Sequence, residues 1–334
     1  MTSKIPTFTL NNGAKTPSIG YGTWQAQDEP ALEIALEAGY RHIDTAYSYQ
    51  NEKMIGNVLK RWISNGKLKR EDIFLVTKLP ITGNRPEGVA KYLKRSLENL
   101  QVGYVDLYLI HAPFGLQDSE GDYYIKDSDG NPYFDMSTDH IAIWKAMEEQ
   151  VEAGLTKAIG LSNFNKSQIE RILKNSKIKP SALQIELHAY LQQNELVDFC
   201  KENNILVTAY SPLGTPGANN FLEKIGLKLD LPDILGNPTV KAIAKKHSKT
   251  AAQVLLHFYV QKGWLPIPKS VNPERIKQNL DIFDFHLDQQ DLHELKSLDA
   301  GIRIIDLAMF KGVENHPEFP FKDEKQKKIS SMKL

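Results

Sequence analysis

The chain has 334 residues, with 41 basic and 41 acidic side chains, so its formal net charge at neutral pH is zero. Its composition, 41% hydrophobic and 25% charged, is that of a globular protein, and the length fits one large α/β barrel or two ordinary domains. Because the charge is balanced and no apolar run reaches about 18 residues, we expect neither nucleic acid nor a membrane as a partner. The N-terminus does not have the pattern of a signal peptide, which favours a cytoplasmic location.

Short apolar runs rich in β-formers alternate with amphipathic helical patterns along the chain. The predicted strands are residues 19–23, 42–46, 74–78, 107–111, 158–162, 183–187, 207–210 and 265–268. The predicted helices are residues 30–38, 52–63, 87–100, 141–151, 168–175, 195–202 and 251–261. This alternation predicts a single α/β domain over residues 1–334, a closed (β/α)8 TIM barrel. A doubly wound sheet is the alternative, but Gly20 and Gly22 are not followed by the third glycine of a Gly-x-Gly-x-x-Gly turn.

Three stretches interrupt the alternation: residues 114–138, residues 212–238, and the C-terminal loop and tail, residues 301–334. The first two follow predicted strands, and loops in that position usually carry substrate specificity. We therefore expect long loops around the C-terminal face of the barrel.

The single cysteine, Cys200, excludes an internal disulfide and suits a reducing compartment. Its place in a helical pattern predicts a buried, unreactive thiol. Residues 331–334 resemble a peroxisomal signal only loosely, so the cytoplasm remains the expected location.

Four chemically active side chains stand at or just beyond predicted strand ends: Asp44, Tyr49, Lys78 and His111. Because the ends of parallel barrel strands meet on one face, we expect these side chains to lie together. A free tyrosine, with a pKa of about 10, is a poor acid, but an adjacent lysine held charged by a carboxylate lowers that pKa. His111 could then orient a carbonyl oxygen. Singly, each residue has an ordinary structural interpretation; together they predict protonation of a carbonyl.

Further stretches resemble the aldo-keto reductase family, in order and over nearly the whole chain: residues 10–17, 39–46, 157–164, 208–214 and 267–271. The resemblance implies a (β/α)8 barrel whose bottom is closed by an N-terminal β-hairpin that includes residues 10–17. It also implies NADPH-dependent reduction of a carbonyl to an alcohol. The implied catalytic residues are Asp44, Tyr49, Lys78 and His111, with Tyr49 as the acid. Since family members are commonly monomers, we expect a monomer that acts on a small-molecule carbonyl substrate.

The same resemblance assigns residues to an extended NADPH or NADP across the top of the barrel. The implied contacts are Thr23 and Asp44 near the nicotinamide ribose; Ser162, Asn163 and Gln184 at the carboxamide; Tyr210 beneath the nicotinamide ring; Ser211 and Leu213 at the pyrophosphate; and Lys269, Ser270, Val271, Asn272, Arg275, Gln278 and Asn279 at the adenosine phosphate. Cations between a strand and a helix suit a dianionic phosphate and favour NADPH over NADH. The ordinary alternative is an exposed first helical turn after Pro273.

The implied substrate-binding residues are Trp24, Tyr49, His111, Ala112 and Tyr123. Where sugar-reducing relatives commonly have tryptophan, this chain has Pro80 and Ala112. Replacing an indole by a methyl removes on the order of 150–250 Å² of aromatic surface. Unless Tyr123, Tyr124 or the C-terminal loop fills the space, we expect a wider pocket suited to a bulky ketone.

Residues 303–321 are also similar to insect family members that reduce 3-dehydroecdysteroids. The alternative substrate prediction is a broad aldehyde or aldose reductase in which other side chains refill the pocket. A non-catalytic, cofactor-binding regulatory subunit, like potassium-channel β subunits, is disfavoured because all four catalytic residue types are present. A metal-dependent hydrolase is disfavoured because the nine histidines include no His-x-His pair and no His-Glu-x-x-His, so no metal site is predicted.

Overall fold

A computed structural model of the protein describes residues 5–118, 125–217, 219, 223, 227–322, 327–328 and 331–333. In chain order, the strands are β1 (Thr7–Thr9), β2 (Lys15–Pro17), β3 (Tyr21–Gly22), β4 (His42–Asp44), β5 (Phe74–Leu79), β6 (Val105–Ile110), β7 (Gly115–Leu116), β8 (Phe134–Asp135), β9 (Thr156–Ser162), β10 (Ala182–Glu186), β11 (Leu206–Tyr210), β12 (Leu227–Leu229), β13 (Leu265–Pro266), β14 (Ile302–Arg303), β15 (Lys327–Lys328) and β16 (Ser331–Lys333). The helices are α1 (Glu29–Ala38), α2 (Glu52–Ser64), α3 (Pro86–Leu100), α4 (His140–Glu152), α5 (Lys166–Asn175), α6 (Asn194–Glu202), α7 (Pro238–His247), α8 (Ala251–Gln261), α9 (Pro273–Leu280) and α10 (Gln289–Lys296).

Eight strands form one parallel sheet in the order β13-β11-β10-β9-β6-β5-β4-β3. The sheet closes on itself, because the N–H groups of Gly20 and Gly22 donate to the carbonyl oxygens of Pro266 and Pro268, at 3.0 and 3.1 Å. Glycine is required at this seam: a Cβ on Gly22 would lie 2.6 Å from the carbonyl oxygen of Ile267. The predicted (β/α)8 barrel is confirmed.

The helices cover the outside of the barrel, each with one apolar stripe. On α3, for example, Val89, Leu93, Leu97 and Leu100 are buried, the spacing that places side chains on one helical face. No helix in the described part of the chain is long and apolar enough to cross a membrane.

The bottom of the barrel is closed by the predicted N-terminal hairpin, in which β1 pairs antiparallel with β2. Leu10, in the turn, packs into the interior with side chains of four strands, Phe74, Val76, Leu107, Leu109, Ala158 and Ala182. The side chain of Asn11 donates to the carbonyl of Pro180 at 2.8 Å, ahead of β10, and fixes the hairpin to this end. Ligands must therefore reach the interior from the opposite face.

Helices α7 and α10 were not among the predicted elements, although their caps are visible in the sequence. Asn237 accepts hydrogen bonds from the N–H groups of Thr239 and Val240 ahead of α7, and Asp288 forms a capping box with Asp291 on α10. The first long loop also contains a short hairpin, in which β7 pairs with β8. Helix α7 and this hairpin lie in segments that connect the barrel strands, α10 follows the last barrel strand, and the eight-stranded sheet is as predicted.

Candidate active site

Three of the four predicted catalytic side chains lie where neighbouring strands end. Asp44 is the last residue of β4, Lys78 lies near the end of β5, and His111 follows β6. The fourth, Tyr49, ends a short 3-10 turn (Tyr47–Tyr49) that follows β4. Because these strands are adjacent and parallel, the fold brings the four residues together on the face opposite the hairpin.

The centre of this group is Lys78, which is completely buried. Its Nζ donates to Asp44 Oδ1 at 2.6 Å, to the carbonyl of Thr45 at 2.8 Å and to Tyr49 Oη at 3.4 Å. Burial lowers the pKa of Lys78, while the charge and the hydrogen bond of Asp44 oppose that shift. The aspartate thus keeps a cation beside the tyrosine hydroxyl in a place that water does not reach.

His111 stands beside the tyrosine, with the two rings edge to face and their centroids 5.7 Å apart. Burial, together with the nearby charge of Lys78, lowers the pKa of His111 to about 3. The imidazole is therefore neutral near pH 7 and has one N–H to donate. A carbonyl oxygen placed between the two rings would meet a hydroxyl and an uncharged N–H donor, and of these only the phenol of Tyr49 can serve as the acid.

Sequence reasoning missed Asn51, which fixes the loops of this site. Its buried amide nitrogen donates to the carbonyls of Thr23 and Ala26, at 2.7 and 3.1 Å, and its oxygen accepts from the Thr45 hydroxyl at 2.8 Å. Asn51 therefore ties the loop that carries Trp24 to the turn that carries Tyr49. Asn51 stands at the N-cap position of α2, but its side chain makes no capping hydrogen bond, so the preference of asparagine for that position would not have revealed this role.

The polar residues assigned to the nicotinamide end also gather at this rim. Asn163, with a φ of 63°, donates to the carbonyl of His111 at 2.9 Å and to the hydroxyl of Ser162 at 3.2 Å, and accepts from the Tyr210 hydroxyl at 2.8 Å. Gln184 donates to Asp44 Oδ2 at 2.7 Å. The hydroxyl of the buried Thr23 donates to the carbonyl of Asp44 at 2.8 Å. Ser211, with a φ of 53°, and Leu213 follow β11.

The residues assigned to the adenosine phosphate surround the start of α9. Asn272 caps the helix by accepting from the N–H of Arg275 at 3.0 Å, so the first helical turn is present as the ordinary alternative predicted. Lys269, three residues before Asn272, is exposed; partial desolvation lowers its pKa, and no carboxylate of the described residues raises it again. Of the other assigned residues, Asn279 is buried, whereas Val271, Arg275 and Gln278 are exposed. A cation beside Ser270 and near a helix N-terminus fits a phosphate group.

The substrate side of the site differs from the expectation of a wider pocket. Ala112 is buried in a separate apolar cluster with Phe114, Leu307, Val313 and Phe319, and Pro80 is buried as well. The C-terminal segment thus packs against Ala112, which is the exception that the sequence analysis stated for a wider pocket. Trp24 is partly exposed at the rim, whereas Tyr123 and Tyr124 lie outside the described residues.

Two further sequence predictions concern reactive groups away from the rim. Cys200 is buried, as predicted, and burial raises the pKa of its thiol to about 12. Within the described ranges, no group of three or more histidine, cysteine, aspartate or glutamate side chains could hold a metal ion.

Comparison with known proteins gives the same family throughout. The model of the Aldo/keto reductase family matches residues 18–300. Dihydrodiol dehydrogenase 3 of Bos taurus is 42% identical over 94% of this chain and 97% of its own length. Estradiol 17 beta-dehydrogenase 5 of Mus musculus is 41% identical over 97% of this chain and 100% of its own. The solved structure of the aldose reductase from Schistosoma japonicum matches with a TM-score of 0.86 and 42% identity, over 96% of this chain and 100% of that chain.

Proposed function

Because the chain belongs to the aldo-keto reductase family, we propose that it is an NADPH-dependent reductase of aldehydes and ketones. One observation carries this proposal. The buried ammonium of Lys78 lies 2.6 Å from the carboxylate of Asp44 and 3.4 Å from the hydroxyl of Tyr49. A phenol next to a fixed cation is equipped to give up a proton near neutral pH.

The side chains divide the reaction between them. When bound, the nicotinamide supplies the hydride for the carbonyl carbon. Tyr49 gives its phenolic proton to the carbonyl oxygen as negative charge develops there, and Lys78 stabilises the phenolate that remains. The neutral His111 donates its N–H to the same oxygen and orients the carbonyl toward Tyr49.

The proposed cofactor is NADPH rather than NADH. Ser162, Asn163 and Gln184 supply hydroxyl and amide groups for the carboxamide; the amide nitrogen of Gln184 is engaged by Asp44, which leaves its oxygen as the acceptor. At the other end, two exposed cations, Lys269 and Arg275, flank the start of α9. Two cations and a helix N-terminus favour a ribose phosphate over an uncharged hydroxyl.

For the substrate, we propose apolar carbonyl compounds, including bulky ketones such as 3-dehydroecdysteroids as well as aldehydes. Four of the five large apolar side chains most exposed in the described residues lie on β7–β8 and its flanks or on the C-terminal segment: Ile125, Tyr133, Met136 and Met309. These two segments touch, since His316 Nε2 donates to the carbonyl of Asp135 at 2.8 Å. Relatives named for estradiol and for prostaglandin F, the latter 40% identical, support apolar substrates.

A broad aldehyde or aldose reductase is the second candidate. It is favoured by the closed cluster over Ala112 and by the likeness to the aldose reductase structure. The two are separated by NADPH oxidation with an aromatic aldehyde, an aldose and 3-dehydroecdysone. A higher kcat/KM for the polycyclic ketone supports the first, and a higher value for the aldehyde or the aldose supports the second.

Substitution of Tyr49 by phenylalanine tests the proposed acid in either case. Loss of the hydroxyl should lower kcat/KM by about 10²–10⁴-fold, the usual contribution of a general acid. NADPH affinity, measured by quenching of intrinsic fluorescence, should change by less than about threefold, since no charged group is removed. A variant that retains most of its activity would mean that another group provides the proton.

A further inference from the structure

The C-terminal strap, which we define as residues 303–321, is attached to the barrel at the end of β10. Side chains of Ala182 and Gln184 point into the barrel, Ala182 within the interior cluster and Gln184 to Asp44. Because side chains alternate along a strand, Glu186, the last residue of β10, lies on the same interior side at the mouth. It is fully buried.

Both carboxylate oxygens of Glu186 are used to hold the strap. Oε1 accepts the N–H of Ile304 at 2.6 Å, and Oε2 accepts the N–H of Ile305 at 2.7 Å. His188 Nε2 donates to Oε1 at 2.9 Å, and the guanidinium of Arg303 lies 3.8 Å from Oε2. Burial alone would raise the pKa of Glu186, but His188, Arg303 and the Ile304 N–H hold it below its ordinary value. The side chain of Glu186 is therefore an ionised carboxylate, and each of its two oxygens accepts a hydrogen bond from the backbone of the strap.

The other end of the strap is fastened to α5. Glu318 pairs with Arg171 at 2.6 Å, and Gln168 donates to the backbone carbonyl of Glu318 at 3.0 Å. Between the two attachments, Leu307 has a φ of 64°, a conformation that leucine rarely adopts and that its surroundings must therefore maintain. Leu307 is buried in the cluster that contains Ala112, the residue after His111.

We propose that Glu186 is a positioning residue that sets substrate selectivity, because it fixes residues 304–307 of the strap beside the residue that follows His111. The proposal rests on the carbonyl reductase activity proposed above. Glutamine has nearly the same shape as glutamate but only one acceptor oxygen. In Glu186→Gln, the amide NH₂ therefore faces the N–H of either Ile304 or Ile305, and that end of the strap is released.

The chain offers a matched control in Glu148, a second buried glutamate that accepts two backbone N–H groups. Its Oε1 accepts from Lys177 at 2.7 Å and from Ile178 at 2.9 Å. These residues precede β10, so Glu148 acts at the opposite end of the barrel from Glu186. Because both N–H groups bond to one oxygen, glutamine at position 148 keeps its acceptor, whereas glutamine at position 186 cannot serve both oxygens. Glu148→Gln therefore controls for the exchange of a buried carboxylate for an amide and should leave the strap unaffected.

The test compares wild type, Glu186→Gln and Glu148→Gln. For each protein, kcat and KM are measured with a single-ring aromatic aldehyde and with a fused-ring aldehyde. The rate of tryptic cleavage after the exposed Lys311 is measured on the same proteins. Glu186→Gln should change the ratio of the two KM values by at least about tenfold, the equivalent of one charge-assisted hydrogen bond, with kcat for the single-ring aldehyde within about threefold. Cleavage after Lys311 should be faster by a similar factor, because the strap opens more often. Glu148→Gln should change neither.

The outcomes separate the two proposals. If wild type oxidises NADPH with neither aldehyde, the carbonyl reductase function fails, and the selectivity role fails with it. If wild type is active but Glu186→Gln keeps the wild-type KM ratio, or lowers kcat equally for both aldehydes, the selectivity role is overturned and the function stands. A KM ratio that changes equally in Glu148→Gln also overturns it, because the effect would then follow from the loss of a buried carboxylate and not from release of the strap.

Discussion

Replacing Lys78 by methionine tests the electrostatic basis of the site directly. Methionine fills a similar unbranched volume but removes the charge 3.4 Å from Tyr49 Oη. At an effective dielectric constant of about 20, two unit charges at that distance interact by about 5 kcal/mol. With half of the charge developed in the transition state the loss is about 2.5 kcal/mol, and with all of it about 5 kcal/mol, so kcat should fall by between roughly 60-fold and a few thousandfold.

The same substitution leaves Asp44 buried without its cation, and breaking a buried pair costs about 3–5 kcal/mol of stability. Loss of activity could then reflect partial unfolding, which the double variant Asp44→Asn/Lys78→Met distinguishes. It removes both charges and keeps an amide that can accept from Gln184. We expect the double variant to recover most of the lost unfolding free energy, measured by urea denaturation, but none of the lost kcat.

The measurements are steady-state reduction of an aromatic aldehyde at saturating NADPH and equilibrium unfolding of the same preparations. Lys78→Met with kcat within about threefold of wild type would refute the assigned role of the cation. Recovery of activity in the double variant would refute it as well, because stability and not the charge would then have limited the single variant.

Three other predictions concern residues around this centre. Asn51→Ala leaves the Thr45 hydroxyl and two buried carbonyls without their partner, so the unfolding free energy should fall by about 2–4 kcal/mol and kcat should fall with it; an unchanged melting temperature would contradict this. Because the pKa of His111 lies at about 3, the pH profile of kcat/KM should show no inflection between pH 5 and 7, and a limb near the ordinary histidine pKa would contradict a neutral imidazole. Arg275→Met should raise the KM for NADPH by about 10–100-fold and leave that for NADH nearly unchanged; equal effects on both would exclude a phosphate contact.

The barrel and the catalytic group could be predicted because their signals are local. Asp44, Lys78 and His111 each follow an apolar strand, and parallel strands of a barrel end on one face whatever their spacing in the chain. The cap before α7 was equally local, in Asn237 and Pro238, but it falls inside a stretch rich in glycine and proline that is typical of a loop. Local patterns thus indicated the architecture and the extent of the loop over residues 212–238, but the helix that follows it, α7, was not predicted.

Long-range contacts account for what the sequence could not predict. The carboxylate of Glu186 receives the N–H of a residue 118 positions later, and nothing near β10 indicates that partner. In the same way, the small side chain of Ala112 predicted a wider substrate pocket. Leu307, which packs in the same cluster as Ala112, lies far along the chain and could not be paired with it from the sequence. Packing between distant segments decides the shape of the pocket, whereas the proposed chemistry depends on strand ends and on the short turn after β4 that carries Tyr49.

The way in which the strap is attached has a consequence for divergence among relatives. Glu186 binds the strap through the backbone N–H groups of Ile304 and Ile305, which every residue except proline provides. Side chains of the strap are therefore free to change without loss of this attachment. The match to the family model ends at residue 300, just before the strap, while the proposed catalytic residues lie well inside it. A lineage could thus acquire a new substrate range by mutation or exchange of one short terminal segment, with the reaction itself inherited intact.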